Sequence, residues 1–330
     1  MDKTLINLKL RPYGGEADAP LMTDIMNREW AADGVPSRES VGDVAAWLRN
    51  ASDQFDAKRD VALVEVDGEV VAYVDRQWVD TTDGLREYRI GGVVLPEWRH
   101  QGIGAQLLKE NELRQRELAA SHVTDRPKVL GAWNNDRQEA ATKLLRVNGY
   151  EQVRWFFDME RDLAEPIPDV ELPEGLEIRP ITMDNVRQVW KADVEAFQDH
   201  WGGFDSSEAS LQRWLESDSF DPSLWAIAWD GQEVAGGVIN GIHPVENEAI
   251  GRQRGWLHSV FTRRPWRKRG LANALIAHSL RLLKERGMDY GVLGVDADNP
   301  TGALGLYERN GFKVEERSSA WRKPLEARDA

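Results

Sequence analysis

Two short stretches, Arg99-His100-Gln101-Gly102-Ile103-Gly104 and Arg267-Lys268-Arg269-Gly270-Leu271-Ala272, share a basic-x-x-Gly-x-small pattern and stand 168 residues apart. Each lies between an apolar, strand-like run and a helix-like run. A helix start leaves backbone N–H groups without acceptors and carries partial positive charge, so such a turn can hold a phosphate. Glycine lets the backbone come close to the anion. The second turn also adjoins a basic cluster, Arg263, Arg264, Arg267, Lys268 and Arg269, which favours phosphate binding there over a merely solvated loop. Neither turn continues into Gly-Lys-Ser/Thr, which argues against a kinase or other phosphate-loop hydrolase.

Composition limits what other chemistry is open. The chain has no cysteine, so disulfides, thiolate nucleophiles and cysteine metal sites are excluded. Its histidines, His100, His122, His200, His243, His258 and His278, show no close paired ligand spacing, and no metal centre is expected. A net charge of −14 argues against a general nucleic-acid binder, while a local basic cluster still allows an anionic cofactor. No apolar run approaches a membrane span, and Met1 to Ile6 lacks the apolar block of a signal peptide. A cytoplasmic protein without a membrane partner is the expectation.

The turns need elements to position them, and at 330 residues the chain exceeds the usual single core and suggests two units. Leu8-Lys9-Leu10-Arg11-Pro12 is echoed by Leu176-Glu177-Ile178-Arg179-Pro180 at the same 168-residue offset as the turns, which implies duplication. Asp67-Gly68 and Asp230-Gly231 each join two apolar runs as a hairpin turn would, and Asn148-Gly149-Tyr150 matches Asn310-Gly311-Phe312. The expected domains are 1–163 and 175–330, joined by a proline-rich, acidic linker at 164–174. In the second half we expect a hairpin from Leu224–Trp229 and Val234–Ile239, a strand from Trp256 to Thr262 and a helix from about Leu271 to Arg286. A strand from Tyr290 to Val295, a helix from Thr301 to Arg309 and a strand from Phe312 follow. The fold class is mixed α/β, with helices over the sheet.

The second half thus combines the strand Val260-Phe261-Thr262, the turn Arg267 to Ala272, Asp298-Asn299-Pro300 and Leu306-Tyr307-Glu308-Arg309-Asn310-Gly311-Phe312. In this combination it resembles the GNAT superfamily of N-acetyltransferases, and the duplication resembles a tandem member: two GNAT-like domains, each a mostly antiparallel sheet flanked by helices. The resemblance implies acetyl-CoA as cosubstrate and direct transfer of acetyl to a primary amine in a ternary complex, without a covalent enzyme intermediate. It places the pyrophosphate on N–H groups of Lys268, Arg269, Gly270, Leu271 and Ala272 beside Arg267, and the pantetheine arm along Val260, Phe261 and Thr262 like an added strand. A strand N–H would also polarise the thioester carbonyl. Tyr307 carries over as the acid that protonates the departing thiolate, a task that suits a phenol still protonated at neutral pH. Asn299 either caps the next helix or contacts the cofactor.

In the first half, Val93-Val94-Leu95 and the turn with Arg99, Gly102 and Gly104 leave that half either to bind CoA without catalysing or only to brace the second, since the residue four before Gly149 is Leu145, where the second half has Tyr307. Leucine donates no proton. One active site, in the C-terminal domain, is therefore expected, with the N-terminal domain non-catalytic. The strand Trp256 to Thr262 holds no acid to serve as base, and His258 is its only side chain that titrates near neutral pH, so it is the candidate. Glu195, Asp199, His200, Trp201 and Asp205 fall where such folds build an acceptor pocket, able to attract and stack on a cationic amine or simply to form a solvated helix face. Small-molecule amines and peptide N-termini both remain open as acceptors. The alternative function is a non-catalytic CoA-binding sensor or assembly module.

Overall fold

A computed structural model describes residues 8–198, 200–202, 205–299 and 302–325. The first half opens with strand β1 (Lys9–Pro12) and helices α1 (Ala19–Asp33), α2 (Val41–Arg49) and α3 (Ala57–Asp60). Strands β2 (Val61–Val66), β3 (Glu69–Asp80) and β4 (Arg86–Val94) then run antiparallel, β2 turning into β3 at Asp67-Gly68. Helix α4 (Ile103–Ser121), strand β5 (Lys128–Asn135), helix α5 (Glu139–Val147) and strand β6 (Glu151–Asp162) follow.

The second half repeats this order. Strand β7 (Glu177–Ile178) and helices α6 (Met183–Phe197) and α7 (Glu208–Leu215) precede the hairpin of β8 (Ala226–Asp230) and β9 (Glu233–Ile242). A short helix α8 (Pro244–Ile250) leads to β10 (Arg254–Thr262), α9 (Leu271–Glu285), β11 (Tyr290–Asp296), α10 (Ala303–Arg309) and β12 (Lys313–Pro324). These elements follow the sequence reading closely; the expected helix start at Thr301 lies outside the described residues, and the described helix begins at Ala303.

Local chemistry explains the elements that matter most. Thr182 and Asn185 form a reciprocal capping box that starts α6. Along α9, Leu271, Leu275, Leu280 and Leu283 recur at helical spacing and are fully buried, each contributing roughly 1.5–3 kcal/mol by leaving water. The helix stops where Gly287 adopts φ +82°, with Met288 N–H donating back to the Leu283 carbonyl.

The chain packs as two compact units that interleave along the sequence. One comprises Met1–Arg154, Ser207–Ser217 and Ser319–Ala330, the other Trp155–Ser206 and Asp218–Ser318. In the first unit the strand order is β1-β2-β3-β4-β5, followed by the end of β12, whose Trp321 is buried among Tyr88, Leu130 and Tyr150. Helix α7 belongs here too, and Glu216 just beyond it pairs with Arg49 at 2.7 Å. In the second unit the order is β6-β11-β10-β9-β8-β7, and residues Phe156 to Asp162 of β6 pair antiparallel with β11. The proline-rich segment at 164–174 lies against this second unit: Ile167 and Leu172 pack on its core, and the Pro166 and Pro168 carbonyls accept from Arg161 and Arg281.

One feature of the strands in each unit creates a site. Strands β10 and β11 run parallel but pair only from Arg254 with Tyr290 to Trp256 with Val292. Beyond that point β10 continues to Thr262 and β11 to Asp296, so the strands part. In the first unit β4 and β5 likewise pair only from Arg86 with Lys128 to Arg89 with Gly131. No helix among the described residues is long and apolar enough to cross a membrane.

Candidate active site

Where β10 and β11 separate, the second unit holds a cleft of about 520 Å³. Val260, Phe261 and Thr262 line one side, Asp296 and Asn299 the other, and Arg267, Lys268, Gly270, Leu271 and Ala272 close one end. Lys268 (φ +62°) and Gly270 (φ +86°) both have left-handed backbones, which curl the turn into a cup of N–H groups ahead of α9. Within α9 the first carbonyl to accept is that of Gly270, bonded by Ala274 N–H, so the N–H groups before it face the cup rather than the helix. Thr262 Oγ1 is buried here without a hydrogen-bond partner. A diphosphate on the turn and an extended arm along the open edge of β10 fit this arrangement.

The basic cluster divides its work. The Arg267 guanidinium donates to the Thr262 carbonyl at 3.0 Å and fixes the turn to the strand. Arg263 is held by Glu195 at 2.9 Å and stacks on Trp266, so Glu195 serves the cation beside the turn. Arg269 reaches the Glu174 carbonyl and does not line the cleft. Of this cluster, Lys268 is the exposed cation on the cleft wall.

Tyr307 lines the same cleft from α10, buried edge-on against Phe312. Burial alone pushes its phenol up to about 12. Its hydroxyl has no hydrogen-bond partner among the described residues. Asn299 lies on the wall, and the N-cap of α10 is Gly302, so the capping role expected of Asn299 falls elsewhere. His200 and Trp201 also line the cleft, His200 against Phe197 at 4.2 Å and Trp201 near Phe156 at 6.0 Å. Asp205 is not among the lining residues, and Asp199 lies outside the described residues.

His258 does not line the cleft. It is the one exposed residue of β10, stacked parallel on Trp256, with its Nε2 2.9 Å from His243 Nε2. The sequence spacing of the histidines conceals this pair, because β9 and β10 bring together residues fifteen apart. Below it, Glu246 accepts from both Arg254 at 2.6 Å and Trp256 at 2.9 Å, which fixes the indole on which His258 rests.

The first unit has a smaller cleft of about 340 Å³ at the equivalent place. Its turn copies the second in backbone: His100 has φ +62° and Gly102 φ +90°. Val94, Arg99, Gly102 and Gly104 line it, whereas the side chains of Val93 and Leu95 point into the core. Two acids of α1 face the turn. Asp33 grips Arg99 at 2.6 and 2.9 Å, and Glu29, 3.4 Å from the same guanidinium, accepts from Gln138. Leu145 occupies the wall position that Tyr307 has in the second unit.

A parted parallel strand pair, a cupped turn at the following helix and a phenol on the cleft wall define an acyltransferase built on a CoA-type site. The chain belongs to the GNAT acetyltransferase family and is an acetyl-CoA-dependent N-acetyltransferase. Residues 186–312 match the model of the Acetyltransferase (GNAT) family, and residues 57–152 match that of an Acetyltransferase (GNAT) domain. The mycothiol acetyltransferase of Geodermatophilus obscurus is 30% identical over 80% of this chain and 82% of its own length. That of Catenulispora acidiphila is 28% identical over 90% of this chain and 92% of its own. Among solved structures, a GCN5-related N-acetyltransferase from Sphaerobacter thermophilus superposes with a TM-score of 0.68 at 26% identity, covering 98% of this chain and 96% of that one. A tandem GNAT protein from the clavulanic acid biosynthesis pathway shares the fold at the same TM-score with 19% identity, covering 98% of this chain and 100% of that one.

Proposed function

We propose that the second unit acetylates a small-molecule primary amine in the cytoplasm, by direct attack within a ternary complex, and that the first unit does not catalyse. The observation that carries this reading is the contrast at one wall position: Tyr307 in the cleft with the basic turn, Leu145 in the other. N–H groups of Lys268 to Ala272 hold the diphosphate, with Arg267 bracing the turn and Arg269 tying it to the segment before β7. Main-chain groups of Val260, Phe261 and Thr262 align the pantetheine arm, and Asn299 flanks it. A β10 N–H stabilises charge on the thioester oxygen. Tyr307, kept protonated by burial, gives its proton to the leaving thiolate. His258, in contact with His243, takes the proton the amine must lose. In the first unit Val93, Val94, Leu95, Arg99, Gly102 and Gly104 form a cradle of the same backbone shape and weaker affinity.

The mycothiol acetyltransferase relatives make their acceptor the first to try, followed by amino sugars and aminoacyl esters. Release of free CoA thiol from acetyl-CoA, followed with and without each amine, tests the reading. Amine-dependent release that needs Tyr307 supports it. Tight CoA binding with no amine-dependent release would favour the sensor alternative.

A further inference from the structure

Two residues are exposed in the middle of otherwise covered strands of the second unit: His258 in β10 and Gly294 in β11. Both lie two residues past the last β10–β11 pair, Trp256 with Val292. They share the face turned away from α9, since Gly255 of β10 meets Leu283 and Gly291 of β11 meets Leu280 on the α9 side, while Trp256 and His258 stack on the other side. The two residues therefore mark an exposed spot on the sheet where the strands begin to part. Val260 and Asp296, two residues further along the same strands, already line the cleft.

Strand β6 borders this spot through its pairing with β11. Asp158 stands in register with Gly294, and a Cβ at 294 would lie 3.5 Å from Asp158 Oδ1, so the carboxylate overhangs the glycine. Nearby cations have other acids: Arg252 pairs with Glu160 at 2.5 Å and Arg254 with Glu246 at 2.6 Å. Among the described residues Asp158 has no hydrogen-bond or ion-pair partner, although it is half-buried. A partly desolvated carboxylate without a partner is costly unless something cationic visits it.

We propose that Asp158 is the acceptor-recognition residue, its carboxylate binding the ammonium group of the incoming amine over Gly294 and holding it between His258 and the cleft. This rests on the amine-acetylation reading above and adds which side chain selects a cationic acceptor. The groups that face Asp158 are Glu316 of β12, Arg254 of β10 and Glu246 of α8. Burial first, then Glu316, raises its pKa to about 6 against the pull of Arg254. The carboxylate is thus charged above that pH, and its hold on an ammonium is lost as pH falls through it.

The test is steady-state kinetics of the full-length chain with acetyl-CoA and a panel of primary amines: the acceptor of the mycothiol acetyltransferases, glucosamine, cysteine methyl ester and spermidine. For the best acceptor, Asp158→Asn should raise the acceptor KM on the order of 30-fold, as for loss of one partner of a desolvated charge pair. The KM for acetyl-CoA should stay unchanged. The acidic limb of kcat/KM near pH 6 should also become shallower in Asp158→Asn, because only the ionisation of the proton-accepting base then remains, and Asp158→Glu should restore part of the affinity. An unchanged acceptor KM with the limb intact would overturn the assignment, as would an equal loss of acetyl-CoA binding, which marks a structural role. If the wild-type chain binds acetyl-CoA but acetylates none of these amines, the amine-transfer reading itself falls and the assignment goes with it.

Discussion

The two clefts share a backbone and differ in almost every side chain that meets a ligand. Their turns agree within a few degrees, φ +62° at His100 and Lys268 and φ +90° and +86° at Gly102 and Gly270. Yet the helix end that faces each turn has changed character: Glu29 and Asp33 of α1 stand 168 residues before Phe197, the last residue of α6, and Trp201 just beyond it. In the first cleft the turn's arginine is drawn onto acids, while in the second it donates to the Thr262 carbonyl and leaves Lys268 on the wall. Duplication has preserved the geometry that binds an anion and reversed the charge that would welcome one. Shape alone is therefore a poor guide to which copy works; the wall residue and the facing helix decide.

The sharpest way to break this comparison is at the wall. Tyr307→Phe should lower kcat by on the order of 10²- to 10³-fold, the scale of losing one positioned acid, while leaving the Kd for acetyl-CoA within about twofold. Stopped-flow thiol release and calorimetry on the same preparation check both halves of that statement. A full rate with phenylalanine would mean that the two clefts do not differ in the way proposed. The turns come next. Gly270→Val forces a branched side chain into a left-handed backbone at a cost of roughly 1–2 kcal/mol, so CoA affinity should drop about tenfold. Gly102→Val carries the same strain in the first turn and should leave the tight site untouched. Matching losses in the two variants would show that the tight site is not confined to the second turn.

A smaller effect tests the reversed charge. In a Gly270→Val background, where the second cleft is weakened, Glu29→Gln with Asp33→Asn should raise CoA affinity at the first cleft by about fivefold, the worth of relieving partly screened repulsion. Calorimetry at two salt concentrations reads it, since the gain should shrink as salt rises. No gain at either concentration would mean that the first cleft is closed by shape and not by charge.

Much of this is legible in the sequence. The repeat, both turns, the Tyr307 and Leu145 contrast and the order of the elements all rest on local patterns, and local patterns survive in a linear sequence. What escaped were pairings across the fold. The exchange of β6 and the end of β12 between units depends on strand partners chosen at long range, so Asp158, written in the first half of the chain, gave no hint that it overhangs Gly294. The His243 and His258 contact needs the β9–β10 register, and the tie of Glu195 to Arg263 needs α6 beside the turn. The acids of the first cleft are different, because a signal for them existed. Applying the repeat offset to the end of α1 sets Glu29 against Phe197 and Asp33 against Trp201, and that substitution alone announces an acidic wall.

The last test of the comparison uses stability. Glu29 is buried, and desolvation raises its pKa from 4.5 to about 7; Arg99 opposes this, but Asp33 holds that guanidinium more closely and adds its own repulsion. The unfolded chain ionises Glu29 near 4.5, whereas the folded chain keeps the proton until about 7, so between those values the native state binds more protons. By linkage the contribution of this group is fully present below 4.5, is lost as pH rises to about 7 and is level above. Glu29→Gln removes the ionisation and nearly preserves the shape. Relative to wild type it should gain about 1–3 kcal/mol between pH 5 and pH 8, which is a rise of about 2–4 °C per kcal/mol in the first unit's melting transition at the higher pH. Melting curves for both proteins at the two pH values supply the comparison. Parallel shifts at both would mean that Glu29 is already ionised at pH 5, and the acidic character of the first cleft would then be permanent and not conditional on pH.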